Sequence, residues 1–283
     1  MKPKWIILES YIFKIVFQKY VIRTLIYIIL LTGILNIQSC QNKSSTGIND
    51  PESDEISVLF FGNSLTHWNN MTSIFEELAE SAGKEIYVDA YTPGGWRLSN
   101  HAESGITESK IYERDWDFIV LQGSKYEIAF LDLLDTIYPP IITLVDMIRD
   151  NNSNTNIVFF LDYALKNGIT RGTENYTYAE FQEMLFDGTK TVADSLDMII
   201  APVGWAWKTV MEEKPSIELY DLDSEHPSAN GSYIMACVYY ATICYESIYG
   251  ADYYQQINSD TASYLQEVSS ETVLDNLALW NIK

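Results

Sequence analysis

From Ile56 onward, short apolar runs rich in β-branched and aromatic residues alternate with stretches of helical period, and this alternation constrains the fold more than any other feature. The runs Ile56–Phe61, 85–91, 117–121, 157–161 and 198–201 are nearly continuously apolar, as strands buried on both faces are. Between them the spacing predicts helices over 71–82, 138–149, 178–196 and 203–212. Strand and helix alternating in this way predict a five-stranded parallel sheet with helices on both faces, an α/β/α sandwich. Two further helices are expected to close the chain, over 228–249 with Gly250 as the stop and over 261–280. With 47% hydrophobic and 20% charged residues the chain can fill such a core, which excludes wholesale disorder and fibrous repeats.

The residues before Ile56 follow a different pattern. Lys14, Lys19 and Arg23 precede an apolar run from Leu25 to Ile37, which ends at Gln38, Ser39 and Cys40. A basic region, an apolar region and a small residue at the end describe an export signal. The Ile37–Cys40 box resembles that of bacterial lipoproteins, which implies a signal peptide over 1–39 and lipidation of Cys40. A second apolar stretch, Trp5–Phe17, lengthens the leader, and an uncleaved signal anchor is the alternative. Both predict an exported, membrane-anchored protein, on the periplasmic side or the cell surface. Residues 40–55 are polar, rich in Ser, Asn and acid, and read as a tether spanning roughly 20 Å ahead of a domain over 56–283.

Charge narrows the partners. Lys plus Arg number 18 against 39 Asp plus Glu, and residues 1–39 hold five of those cations with one anion. The remainder thus sets 13 cations against 38 anions, a body that repels phosphate backbones and argues against nucleic-acid binding. Small neutral substrates fit better. Cys237 and Cys244 lie seven apart in one expected helix, about 10 Å along its axis, too far for a disulfide.

In an open parallel sheet, ligands bind beyond the carboxyl ends of the strands. There this chain carries Gly62-Asn63-Ser64-Leu65, Gly94-Gly95-Trp96, Gln122-Gly123-Ser124 and Gly204-Trp205, with Asp223-Ser224-Glu225-His226 further on. A serine at a strand end, on a tight turn with outward N–H groups, suits a nucleophile. His226 would serve as its base, and Asp223 would hold the imidazole. The chain order Ser, Asp, His is also that of α/β-hydrolases, but no G-x-S-x-G elbow occurs. His67 and His101 follow the same strand ends, and a structural hydrogen-bonding role is expected of them. No two histidines share a metal-ligand spacing, and no pair of carboxylates is singled out for glycosidic cleavage.

These residues together resemble the SGNH or GDSL hydrolases, serine esterases and lipases on a flavodoxin-like sheet. VLFFGNSLT is similar to the family's first block, with Ser64 as nucleophile and Asn63 where the family usually has Asp. The Gly94-Gly95 pair resembles the second block, which implies that the Gly95 N–H helps bind the oxyanion. Asp223-x-x-His226 resembles the last block. The third departs: Leu121-Gln122-Gly123-Ser124-Lys125 stands for Gly-x-Asn-Asp, as in a subgroup of exported bacterial proteins. The resemblance therefore leaves the third oxyanion donor to Gln122 or Ser124. It implies hydrolysis of acyl esters without a cofactor, the oxyanion being held by the Ser64 and Gly95 N–H groups and Gln122. Trp68, Trp96, Trp205 and Trp207 all follow strand ends, which suggests an aromatic rim for a carbohydrate ester or another small substrate, or else helix-on-sheet packing. A catalytically silent carbohydrate-binding lipoprotein and an acyltransferase with the same triad are the rivals.

Overall fold

The computed structural model describes residues 55–283. The expectations for the signal peptide, Cys40 and all but the last residue of the tether lie outside the described residues.

The apolar runs form a parallel sheet. Its strands are β1 (Ile56–Phe61), β2 (Ile86–Tyr91), β3 (Phe118–Leu121), β4 (Asn156–Phe160) and β7 (Ile199–Ala201), in the order β2-β1-β3-β4-β7. Register runs Phe61 beside Tyr91 and Leu121, then Leu121 beside Phe159. This is the flavodoxin-like order, which reverses between β1 and β3, so the crevice for a ligand opens beyond the ends of those two strands. Between β4 and β7 lies an antiparallel hairpin that the sequence reading did not anticipate, β5 (Ile169–Arg171) and β6 (Glu174–Tyr176). Gly172 turns it at φ 63°.

The helices, in chain order, are α1 (Ser64–His67), α2 (Met71–Ser81), α3 (Leu98–Ala102), α4 (Gly105–Ile111), α5 (Lys125–Ala129), α6 (Leu134–Asn151), α7 (Tyr178–Leu196), α8 (Val203–Glu213), α9 (Ala229–Cys244) and α10 (Ser259–Leu274). Helices α2, α8 and α10 pack around α9 on one face of the sheet, while α3 to α7 cover the other. Helix α9 is buried on every side from Gly231 to Ile243, the pattern of a helix enclosed by neighbours. Cys237 and Cys244 are free thiols on it, the first buried and the second half-buried. No helix among the described residues is long and apolar enough to cross a membrane.

Local chemistry explains which boundaries the sequence disclosed. Helix α7 starts where expected because Thr177 and Glu180 form a reciprocal capping box, an N-cap worth about 1 kcal/mol. Helix α6 begins a turn earlier than expected and carries Pro139 and Pro140 in its second turn rather than at its start. Helix α9 ends at Cys244 instead of Tyr249, because Tyr245 takes a left-handed φ of 56°. The freed chain is then held from α10: Ser270 Oγ accepts from Ile248 N–H, and Gln266 Oε1 from Gly250 N–H. Helix α10 likewise stops at Leu274, short of Trp280. Trp280 is buried, and its carbonyl accepts the Ile200 N–H of edge strand β7 at 2.9 Å, so the C-terminal segment covers that edge.

Candidate active site

The turn after β1 is built by close packing. An added Cβ on Gly62 would lie 2.6 Å from Gln122 Oε1 and 2.7 Å from Thr66 Oγ1, so glycine is required here for space. Its carbonyl accepts from Nε2–H of His101 at 2.8 Å, while His101 Nδ1 accepts the Thr107 hydroxyl at 3.1 Å. A carbonyl cannot donate, so the tautomer follows, and burial lowers the pKa of this fully enclosed histidine. Next, Asn63 is extended and caps α1: its Oδ1 accepts from Leu65 N–H at 3.1 Å. Its Nδ2 donates to the Trp96 carbonyl at 3.0 Å, a bond that an aspartate there could not make. Ser64 therefore stands at the first position of α1. Its own N–H meets no acceptor among the described residues, as expected of a helix N-terminus.

The loop before α9 brings the other two residues. Asp221 N–H bonds the His226 carbonyl at 2.7 Å, closing the loop on itself, with Ser224 at φ 64° inside it. Asp223 Oδ1 accepts the backbone N–H groups of Glu225 and His226 at 3.0 and 2.9 Å, and Oδ2 accepts from His226 Nδ1 at 2.5 Å. That fixes the ring with its other nitrogen free to accept, and His226 Nε2 lies 2.9 Å from Ser64 Oγ, across 162 residues of sequence. Partial desolvation works to raise the Asp223 pKa, but the hydrogen bonds from Glu225 N–H, the imidazole and His226 N–H outweigh it and hold the carboxyl at about 2.

Of the other residues singled out in sequence, Gly95 sits in a turn closed by Trp96 N–H to Pro93 O, with φ 72°. The Asn63 bond to Trp96 O ties this turn to the one that carries Ser64, and the Gly95 N–H has no acceptor among the described residues. Gln122, expected as an oxyanion donor, has its carboxamide engaged by the turns around it. It is buried, its Oε1 accepts from Asn63 N–H at 2.8 Å and Thr66 Oγ1 at 3.1 Å, and its Nε2 donates to Gly123 O. The carboxamide braces the turn after β1, filling the space that Gly62 leaves. Ser124, two residues on, is half-buried at the start of α5, and its hydroxyl makes no capping bond.

The tryptophans divide. Trp68 stacks on the His226 ring, 4.1 Å between centroids, and Trp96 meets Tyr91 and His101 edge-on. Trp205 instead packs on Phe186 and Trp280, and Trp207 is buried face to face with Tyr163 at 3.7 Å. Those two belong to helix packing rather than to a rim. His67 is exposed at the end of α1. Among the described residues, no cluster of three or more His, Cys, Asp or Glu could hold a metal.

The sequence reading missed the buried pair of Lys125 and Asp162, immediately past β3 and β4. Each stands just beyond a strand end, but residues 37 apart in the chain carry no local signal that they pair. It also missed Asn69, which joins Pro227 O and Ser232 Oγ through Nδ2, both at 2.9 Å.

No family model and no curated protein matches the chain. Solved structures do. A DUF4886 family protein from Bacteroides uniformis superposes with a TM-score of 0.69 at 19% identity, covering 78% of this chain and 95% of that one. A candidate SGNH hydrolase from Slackia heliotrinireducens gives 0.54 at 22%, over 67% and 99%. A variant of Axe2, an acetyl-xylooligosaccharide esterase from Geobacillus stearothermophilus, gives 0.51 at 14%, over 68% and 95%. With its β2-β1-β3-β4-β7 sheet between two helical layers, the chain has the fold of the SGNH hydrolases.

Proposed function

We propose that the protein is a serine esterase of SGNH type, exported and held at a membrane through a lipid on Cys40. One observation carries the catalytic part: Ser64 Oγ, the His226 ring and Asp223 form an unbroken hydrogen-bonded chain at the crevice of the sheet. Ser64 attacks the ester carbonyl, its proton passing to His226 Nε2. The tetrahedral intermediate collapses to an acyl-enzyme as His226 protonates the departing alcohol. Water, deprotonated by the same nitrogen, then releases the acid. Asp223, ionised above about pH 2, orients the ring and balances its charge. The Ser64 and Gly95 N–H groups face no other acceptor and suit the oxyanion, and the Ser124 hydroxyl takes the third place that Gln122 vacates.

A carbohydrate ester, an acetyl ester among the candidates, is the substrate this reading favours. Its supports are the acidic body, the half-buried Trp68 and Trp96 beside the triad, and the likeness to an acetyl-xylooligosaccharide esterase. The test is hydrolysis of an aryl acetate, then of acetylated xylo-oligosaccharides, by the purified protein, with mass mapping of a serine-reactive phosphonate. Turnover with the label on Ser64 is expected. Absence of both would replace this reading with the sugar-binding one.

A further inference from the structure

The segment that follows the nucleophile helix, Trp68-Asn69-Asn70, has an unusual backbone. Asn69 and Asn70 stand in succession at φ 54° and 55°, in the left-handed region that side chains rarely occupy and that asparagine tolerates best. Such conformations persist only where the surroundings over-determine them. Here the side chains of Trp68 and Asn69 bond to the histidine loop and to the start of α9. The Trp68 ring lies over the His226 ring at 4.1 Å with 24° between planes, and its Nε1–H donates to Asp221 Oδ2 at 3.2 Å. Asp221 in turn gives its N–H to the His226 carbonyl. Asn69 Nδ2 donates to the carbonyl of Pro227, the residue after His226, and reaches Ser232 Oγ in α9. The Ser232 hydroxyl reaches back to the Trp68 carbonyl at 3.4 Å.

From these contacts we infer that Trp68 and Asn69 are positioning residues: a clamp, carried on the nucleophile's own segment, that sets the His226 ring in line with Ser64 Oγ. The inference rests on the proposed esterase reading for its kinetic consequence, but not for its geometry. His226 sits in a surface loop in which Leu222 and Asp223 are exposed and the other side chains from Asp221 to His226 half-buried, and its bond to Asp223 holds one edge of the ring. Rotation about that edge is stopped by a flat partner on the ring face, which Trp68 supplies. Trp68 itself leaves the helix of Ser64 with ψ 140°, and the left-handed pair Asn69 and Asn70 then turns the chain into α2. A cation forming on His226 during attack also gains from the aromatic face beneath it.

The experiment compares wild type with Trp68→Phe, Trp68→Leu and Asn69→Gly, the last of which keeps the left-handed backbone accessible while deleting the carboxamide. Aryl-acetate kcat and KM are measured alongside the melting temperature and the downfield proton resonance of His226 Nδ1–H. A small misplacement of a reacting group costs on the order of tenfold to a hundredfold. Trp68→Leu and Asn69→Gly should each lower kcat by about tenfold or more, with KM within about twofold. Trp68→Phe should recover most of the loss, and the resonance should broaden by exchange in Trp68→Leu but not in Trp68→Phe. Wild-type kcat and a sharp resonance in both Trp68→Leu and Asn69→Gly would overturn the clamp, as would equal losses in the Phe and Leu variants. Should the wild type hydrolyse no ester, the esterase reading fails, and the resonance alone still decides on the clamp.

Discussion

Asp223 and Asp162 stand on loops that touch, Lys166 N–H of one bonding Ser224 O of the other at 3.2 Å, yet their environments are opposite. Asp223 is about half exposed, and its carboxyl receives three N–H donors that hold it near 2. Asp162 is fully enclosed, and neither of its oxygens meets a hydrogen-bond donor in good geometry; the Lys125 ammonium, at 3.5 Å, and the Tyr163 N–H are the donors that pull its carboxyl down. Burial raises the Asp162 carboxyl to about 6 against the pull of that lysine, whose Nζ also donates to Tyr163 O and sits over the Tyr163 ring. Burial and a perturbed carboxyl are the features usually taken to mark a functional site. Here burial belongs to the Lys125–Asp162 pair, while the carboxylate linked through His226 to Ser64 is the wetter one, shaped by hydrogen bonds.

The contrast breaks most visibly through the triad. Ser64→Ala and His226→Ala should each lower aryl-acetate kcat by up to about 10⁶-fold, and the double variant should lose no more, because the two act as one unit. A further loss in the double variant would mean that they act separately.

Asp223→Asn should cost about 10⁴-fold, since an amide misorients the imidazole and cannot balance its charge. It should leave urea stability nearly unchanged, the contribution of a half-exposed group being screened. Lys125→Met should do the reverse in stability, costing about 3–5 kcal/mol because it strands a buried carboxylate. Equal stability losses in the two variants would erase the distinction drawn between them.

Ser124→Ala should reduce kcat by about 10²-fold with KM little changed, as for an oxyanion donor. If Gln122→Ala alone had that kinetic signature, with the fold intact, the role would return to Gln122.

The smallest effect is in pH. Asp162, raised to about 6 from an unfolded value near 3.9, retains in the folded state a proton that the unfolded chain has lost. Its contribution to stability therefore declines as pH rises from about 4 to about 6. Asp223, held at about 2, has the opposite sign: its contribution is present above about 4 and is lost as pH falls through 2. Urea midpoints of Lys125→Met should thus lag wild type less at about pH 5, where Asp162 takes up its proton, than at about pH 8. A gap that widens toward acid would contradict the assigned sign.

Much of this molecule was legible locally. Strand β1 lies where its nearly continuous apolar run puts it, and α7 begins at Tyr178 because the Thr177–Glu180 box is written in four consecutive residues. Ser64, Asp223 and His226 were recognisable as strand-end and loop residues of the right kind. Features set by distant partners were not legible. The end of α9 depended on Ser270 and Gln266 taking the N–H groups beyond it, and the placing of Trp205 and Trp207 on which neighbours enclosed them. Gln122 was correctly located past β3, but the direction of its carboxamide was settled by a missing Cβ on Gly62, 60 positions earlier in the chain. Periodicities, caps and the chemical types at the strand ends can be read from the chain alone, since each depends on neighbours a few residues apart. The tertiary structure decided that His226 stacks on Trp68 and reaches Ser64, and that Lys125 meets Asp162. Those contacts exist only once the sheet order has brought separate loops to one edge.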